Sequence, residues 1–131
     1  MRARYLLLLA SALAACQSST GPKLGETFDL GLHQQATVGA AALVVRFDSV
    51  LNDSRCPLGM MCIAAGSATV RVTVTSAFAS SPVTLSTNPD SSTRQVQGVF
   101  LDLVALNPYP QQDPPRVVPP TVTLRMRPAP D

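Results

Sequence analysis

The sequence is short of the residues on which most catalytic and binding chemistry depends. It has one histidine, His33, and only 14% charged residues, which leaves little material for acid–base pairs or ligand clusters. Nor does it carry a basic cluster. The formal charge of +2 falls to zero once Arg2 and Arg4 are set aside with a leader, because eight basic residues then face eight acidic ones. A neutral chain has no electrostatic footprint for nucleic acid and cannot grip anionic lipid by charge. Long apolar runs are missing as well. The longest, about a dozen residues from Tyr5 onward, is too short for a permanent helix across roughly 30 Å of hydrocarbon. No window shows a long helical stripe, and there is no internal repeat.

What the chain does have begins at its front. Met1 to Arg4 is a basic n-region, Tyr5 to Leu13 a short apolar h-region, and Ala14-Ala15 the small residues of a cleavage site. Leu13-Ala14-Ala15-Cys16 resembles the bacterial lipobox, which implies cleavage before Cys16 and a diacylglyceryl group on that cysteine. Two acyl chains anchor stably where one holds only marginally, so this attachment needs no help from charge. Gln17 resembles an outer-membrane sorting residue, implying a place in the bacterial cell envelope with the protein lipid-anchored on the outer membrane. The expected organisation is a signal peptide over 1–15, a lipidated cysteine and polar tether over 16–25, and one domain over 26–131. A domain of that length buries roughly two-thirds of its unfolded surface.

Three cysteines would leave an odd thiol outside the cytosol. With Cys16 consumed by lipid, Cys56 and Cys62 remain as a pair and are predicted to form a disulfide. So short a loop contributes about 2 kcal/mol through chain entropy; its main effect is on loop shape.

From Glu26 onward the hydrophobic period is two. Phe28, Leu30 and Leu32 alternate with Asp29 and Gly31, and Leu43, Val45 and Phe47 with Val44, Arg46 and Asp48. The pattern returns at Val70 to Thr75, Val83 to Ser86, Val99 to Leu103 and Val122 to Arg127, with Thr93 to Gln97 as a further edge strand. Turn clusters such as Ser80-Ser81-Pro82 and Asn88 to Ser92 separate these runs. The pattern predicts an all-β fold, an antiparallel immunoglobulin-like sandwich of about seven short strands, with a small barrel as the alternative. Asn107 to Pro120 holds six prolines in 14 residues, so it is expected to run as a stiff extended connection into the last strand.

One stretch is distinctive. Phe47-Asp-Ser-Val50 is followed by Asp53-Ser-Arg-Cys-Pro57 and Cys62-Ile-Ala-Ala-Gly66, then by an alternating strand. It resembles a family of small bacterial lipoproteins and secreted proteins of unknown function that share a Phe-x-x-Val, Asp-Ser-Arg-Cys-Pro, Cys-Ile-x-Ala-Gly core. The resemblance covers Phe47 to Thr75 and implies no activity. Family members often carry Trp where this chain has Ala64. Read by residue type, Asn52-Asp53-Ser54 is a turn former, with Asp53 and Arg55 able to pair across it. The tip, Leu58-Gly59-Met60-Met61, is apolar where a loop is normally polar.

These features exclude more than they assign. His33, Met60, Met61 and the cysteines are soft ligand types suited to Cu(I), but a disulfide offers no thiolates. Cys-x5-Cys lacks the Cys-x-x-Cys spacing of a redox dithiol. Asp48, Asp53 and Ser54 read as surface and turn residues, without a nucleophile elbow or a nearby histidine. The sequence therefore predicts a non-enzyme with no cofactor, no metal and no nucleic-acid partner. Its predicted partners are the membrane, through covalent lipid, and another envelope protein, through a patch of Pro57, Leu58, Met60 and Met61. Inhibition of an extracellular hydrolase by the same stapled loop, and copper handling, are the alternatives.

Overall fold

The computed structural model describes residues 21–39, 42–112 and 118–130. The expected leader over 1–15, Cys16 and residues 17–20 of the expected tether lie outside them. Eight strands are present: β1 (Thr27–Gly31), β2 (Gln35–Val38), β3 (Leu43–Asp53), β4 (Ala68–Thr75), β5 (Ser80–Ser86), β6 (Thr93–Val96), β7 (Val99–Asn107) and β8 (Thr121–Pro128). The only helix among the described residues is a single 3-10 turn, Pro89–Ser91, capped by the Asn88 side chain.

The strands form two four-stranded antiparallel sheets, ordered β1-β8-β7-β6 and β2-β3-β4-β5. This is the expected sandwich. Its layering is that of immunoglobulin-like domains, but its strand order is a meander: except for β1 beside β8, every hydrogen-bonded neighbour is also a neighbour in the chain. The Greek-key exchange of immunoglobulin sheets is not used. The barrel alternative fails because β5 and β6 belong to different sheets and do not pair.

The core follows from the alternation. Leu43, Val45 and Phe47 of β3, Ala68, Val70, Val72 and Val74 of β4, and Val83 and Leu85 of β5 point inward from one sheet. Leu30, Val96, Val99, Leu101, Leu103, Leu106, Val122, Leu124 and Met126 meet them from the other. On the outer face of β7, Asp102 is nonetheless buried, because Arg125, Arg127 and Thr93 close over it. Thr93 Oγ1 donates at 2.8 Å, Arg127 at 2.6 and 2.9 Å, and Arg125 at 3.1 Å. Hydrogen bonding from Arg127 above all holds the Asp102 carboxyl down to about 2, against the opposing pull of burial.

Four features differ from the sequence expectation. The Ser80-Ser81-Pro82 cluster is not a turn but the start of β5, paired with Thr75, Val74 and Thr73, and the turn lies just before it at Ser76–Ala79. Strand β2 was not anticipated, since Gln-Ala-Thr-Val offers only Ala36 and Val38 to the interior; it forms by pairing with β3. The supposed turn at Asn52-Asp53 is instead the end of β3, paired with Thr69 and Ala68. Turn-forming side chains yield here to an available partner strand, at the cost of two register shifts between Phe47 and Asn52. Finally, the ordered domain begins before Glu26. Pro22 O accepts from Gly39 N at 3.0 Å, and Gly25 N donates to Met126 O at 2.7 Å.

The sandwich thus has two unlike ends. At one, Pro22 docks beside the β2–β3 hairpin, and the β4–β5 hairpin (Ser76–Ala79) meets the β6–β7 hairpin through Gln97, whose Nε2 donates to Val74 O and Ala79 O. At the other lie the β3–β4 loop, the 3-10 turn and the described flanks, 108–112 and 118–120, of the connection between β7 and β8.

Candidate functional site: a stapled loop

Between β3 and β4, the hairpin ladder continues past the named strands. Ser54 N donates to Ser67 O at 2.8 Å and Cys56 N to Ala65 O at 2.9 Å. The Ser54 hydroxyl donates to Ser67 O at 2.9 Å and accepts from Ser67 N at 3.2 Å. Gly66 is required for this closeness. Its φ is +66°, and a Cβ there would stand 1.8 Å from Ser54 O.

Beyond the ladder, Cys56 and Cys62 form the predicted disulfide, with their Cα atoms 5.9 Å apart. Inside the bridge, Met60 N donates to Pro57 O at 3.1 Å, and Gly59 supplies a positive φ of 85°. The loop is also tied sideways: Leu58 N donates to Pro110 O at 3.0 Å, and Leu58 makes a parallel bridge to Gln111. Pro110 and Gln111, in the first part of the Pro-rich connection, therefore brace the loop.

The clamp is Arg55, which is 8% exposed. Its guanidinium grips both carboxylate oxygens of Asp53, Nε to Oδ1 at 2.8 Å and Nη2 to Oδ2 at 2.7 Å. The remaining donors reach across the sandwich, Nη1 to Leu106 O at 2.7 Å and Nη2 to Pro108 O at 3.2 Å. Tyr109 covers the cation, with its ring centroid 4.8 Å away. These hydrogen bonds from Arg55 hold the Asp53 carboxyl below its ordinary range. A shallow cleft of about 270 Å³ opens beside the clamp, lined by Val50, Asp53, Arg55, Tyr109 and Val118 among others.

This framework presents apolar side chains to solvent. Leu58 and Met60 are exposed, and Met61 and Ile63 fully so. Three of the four residues expected in the patch are thus on the surface. The fourth, Pro57, is half-buried and belongs to the frame. Ile63 was missed by the sequence reading. Its signal was the Cys-Ile step itself, since a β-branched apolar residue beside a bridged cysteine in a loop has no interior to enter.

Among the described residues, the other candidate side chains lie apart or are held by partners of their own. Asp48 is engaged by Arg46 at 2.7 Å and by the Thr73 hydroxyl at 2.5 Å, and Asp53 by Arg55. The Ser54 hydroxyl is spent on Ser67. His33 sits in the β1–β2 turn, bonded through its main chain to Phe47 O in the middle of β3 rather than at the loop. Among the described residues no group of three or more His, Cys, Asp or Glu is gathered. Comparison with known protein families, curated proteins and solved structures returns no match.

Proposed function

We propose that this protein is an exported bacterial lipoprotein, held on the envelope by lipid on Cys16, whose task is to bind another envelope protein through the stapled β3–β4 loop. The observation that carries the reading is the exposed apolar cluster of Leu58, Met60, Met61 and Ile63, held outward by a disulfide, by Arg55 and by the brace from Pro110. Exposed apolar groups on a rigid frame lose little entropy on docking, and methionine adapts its shape to a partner pocket. The lipobox resemblance supports the lipid anchor, and Gln17 supports the outer membrane as its place.

The test is capture from detergent-solubilised envelope with the lipidated protein as bait. The Met60→Asp/Met61→Asp variant should lose the specific partner. Its thermal midpoint should stay where it was, because both side chains lie outside the core. Retention of the same partner by this variant would count against the loop as the binding surface.

A further inference from the structure

The two ends of the sandwich differ in what they offer to a membrane. At the end where the chain enters, Phe78 projects from the β4–β5 hairpin and is 98% exposed. It is not loosely placed. Ser76 N donates to Ala79 O at 2.8 Å, and Ser76 Oγ accepts from Phe78 N at 3.3 Å and Ala79 N at 3.2 Å, closing the turn that carries Phe78. Its neighbours Ser76, Ala77 and Ala79, and Gln97-Gly98 in the adjoining hairpin, are uncharged. Leu24, packed on Gly39, adds a second partly exposed apolar side chain at this end.

We infer that this end lies against the lipid surface, with the Phe78 ring at headgroup level, so that the stapled loop points away from the bilayer. The inference rests on the lipid attachment proposed above and adds an orientation to it. Covalent reach supplies the argument. Pro22 is fixed to the domain by Gly39, and the six residue steps from Cys16 to Pro22 cannot span more than about 20 Å. The 11-residue strand β3 separates the two ends by roughly 30 Å or more. The lipid therefore holds the Phe78 end close to the bilayer, and the stapled loop lies beyond the reach of the tether when the domain stands on that end. Aromatic rings favour the headgroup zone, and an uncharged hairpin enters it without desolvating an ion.

The chain contains no tryptophan, so a single indole reports on its own position. The lipidated full-length protein would be prepared as Phe78→Trp and as Met61→Trp and reconstituted into phosphatidylethanolamine/phosphatidylglycerol vesicles with and without brominated acyl chains. Both sites are fully exposed, so neither change should disturb folding. We expect the indole at position 78 to shift to the blue and be quenched about twofold by brominated lipid, as for an aromatic at the interface. The indole at position 61 should stay unquenched, with a water-like emission. Absence of quenching at 78 in protein that floats with the vesicles would overturn the orientation while leaving the anchor intact, and so would quenching at 61. Protein that fails to float, and whose intact mass shows no acyl groups, would overturn the anchor and this inference together.

Discussion

Replacing Arg55 with methionine should cost this small domain much of its stability. Methionine keeps the unbranched apolar stem but removes the guanidinium. Four hydrogen bonds are lost, two to Asp53 at 2.8 and 2.7 Å and two to the carbonyls of Leu106 and Pro108 at 2.7 and 3.2 Å. The contributions are unequal. The bond to Leu106 O is buried, and leaving such a carbonyl unpaired costs about 1–3 kcal/mol. Asp53, with about 30% of its side chain exposed, recovers part of its solvation, so its half of the ion pair lies toward the low end for a charged bond, about 1 kcal/mol. The sum is about 3 kcal/mol, equivalent to a fall of roughly 12 °C in melting temperature for a domain of this size. Urea unfolding followed by circular dichroism measures it. Hydrogen exchange adds a local readout, since the Leu58 amide, bonded to Pro110 O, should lose protection as the brace detaches. Asp53→Asn, which leaves Arg55 its carbonyl partners, should cost about 1 kcal/mol. An Arg55→Met variant within about 0.5 kcal/mol of wild type, the range of an ordinary surface change, would refute the clamp.

Other consequences can be measured on the same material. Gly66→Ala should be more damaging than Arg55→Met: its methyl would meet Ser54 O at 1.8 Å from a positive φ, so the hairpin must open, and urea titration should show a loss of several kcal/mol. The Asp102 carboxyl, held down to about 2 from 3.8, contributes stability that is complete above the unfolded value and is lost as pH falls through the folded one. About 2 kcal/mol, lessened by the solvent around its half-exposed arginines, should therefore disappear between about pH 5 and pH 2. Asp102→Asn should flatten that acid limb in a series of thermal melts. Reducing the Cys56–Cys62 bridge should lower stability by about 2 kcal/mol and make the Pro57–Met61 segment the first site of proteolytic nicking, which peptide mapping would show.

The fold was legible because six runs alternate cleanly. Residues such as Val70, Val72 and Val74 leave a strand no other way to hide its apolar face. Strand β2 carries too few apolar residues to declare itself, and exists because β3 presents an unpaired edge to it. The end of β3 was read as a turn because Asn52 and Asp53 are turn formers in isolation. Their pairing with Thr69 and Ala68 is a tertiary effect that local propensity does not contain. At the loop, the bridge and the exposed Met61 followed from residue counting and from an apolar run in a polar setting. The clamp did not. The pairing of Arg55 with Asp53 could be guessed from their spacing, but its bonds to Leu106 and Pro108, residues 51 and 53 positions away, come into being only when the sheets stack. Gly66 is of the same kind, since its need for a bare Cα is set by Ser54 across the hairpin.

The proposed attachment to the envelope, and the proposed role of the stapled loop, depend on one division of labour among the three cysteines. Top-down mass spectrometry of the protein purified from bacterial membranes tests it directly. The account predicts a chain that starts at Cys16, carries diacylglyceryl on that residue, and retains the Cys56–Cys62 bridge until reductant is added. A chain that still begins at Met1, a Cys16 without lipid, or a pair of free thiols at 56 and 62 would contradict it.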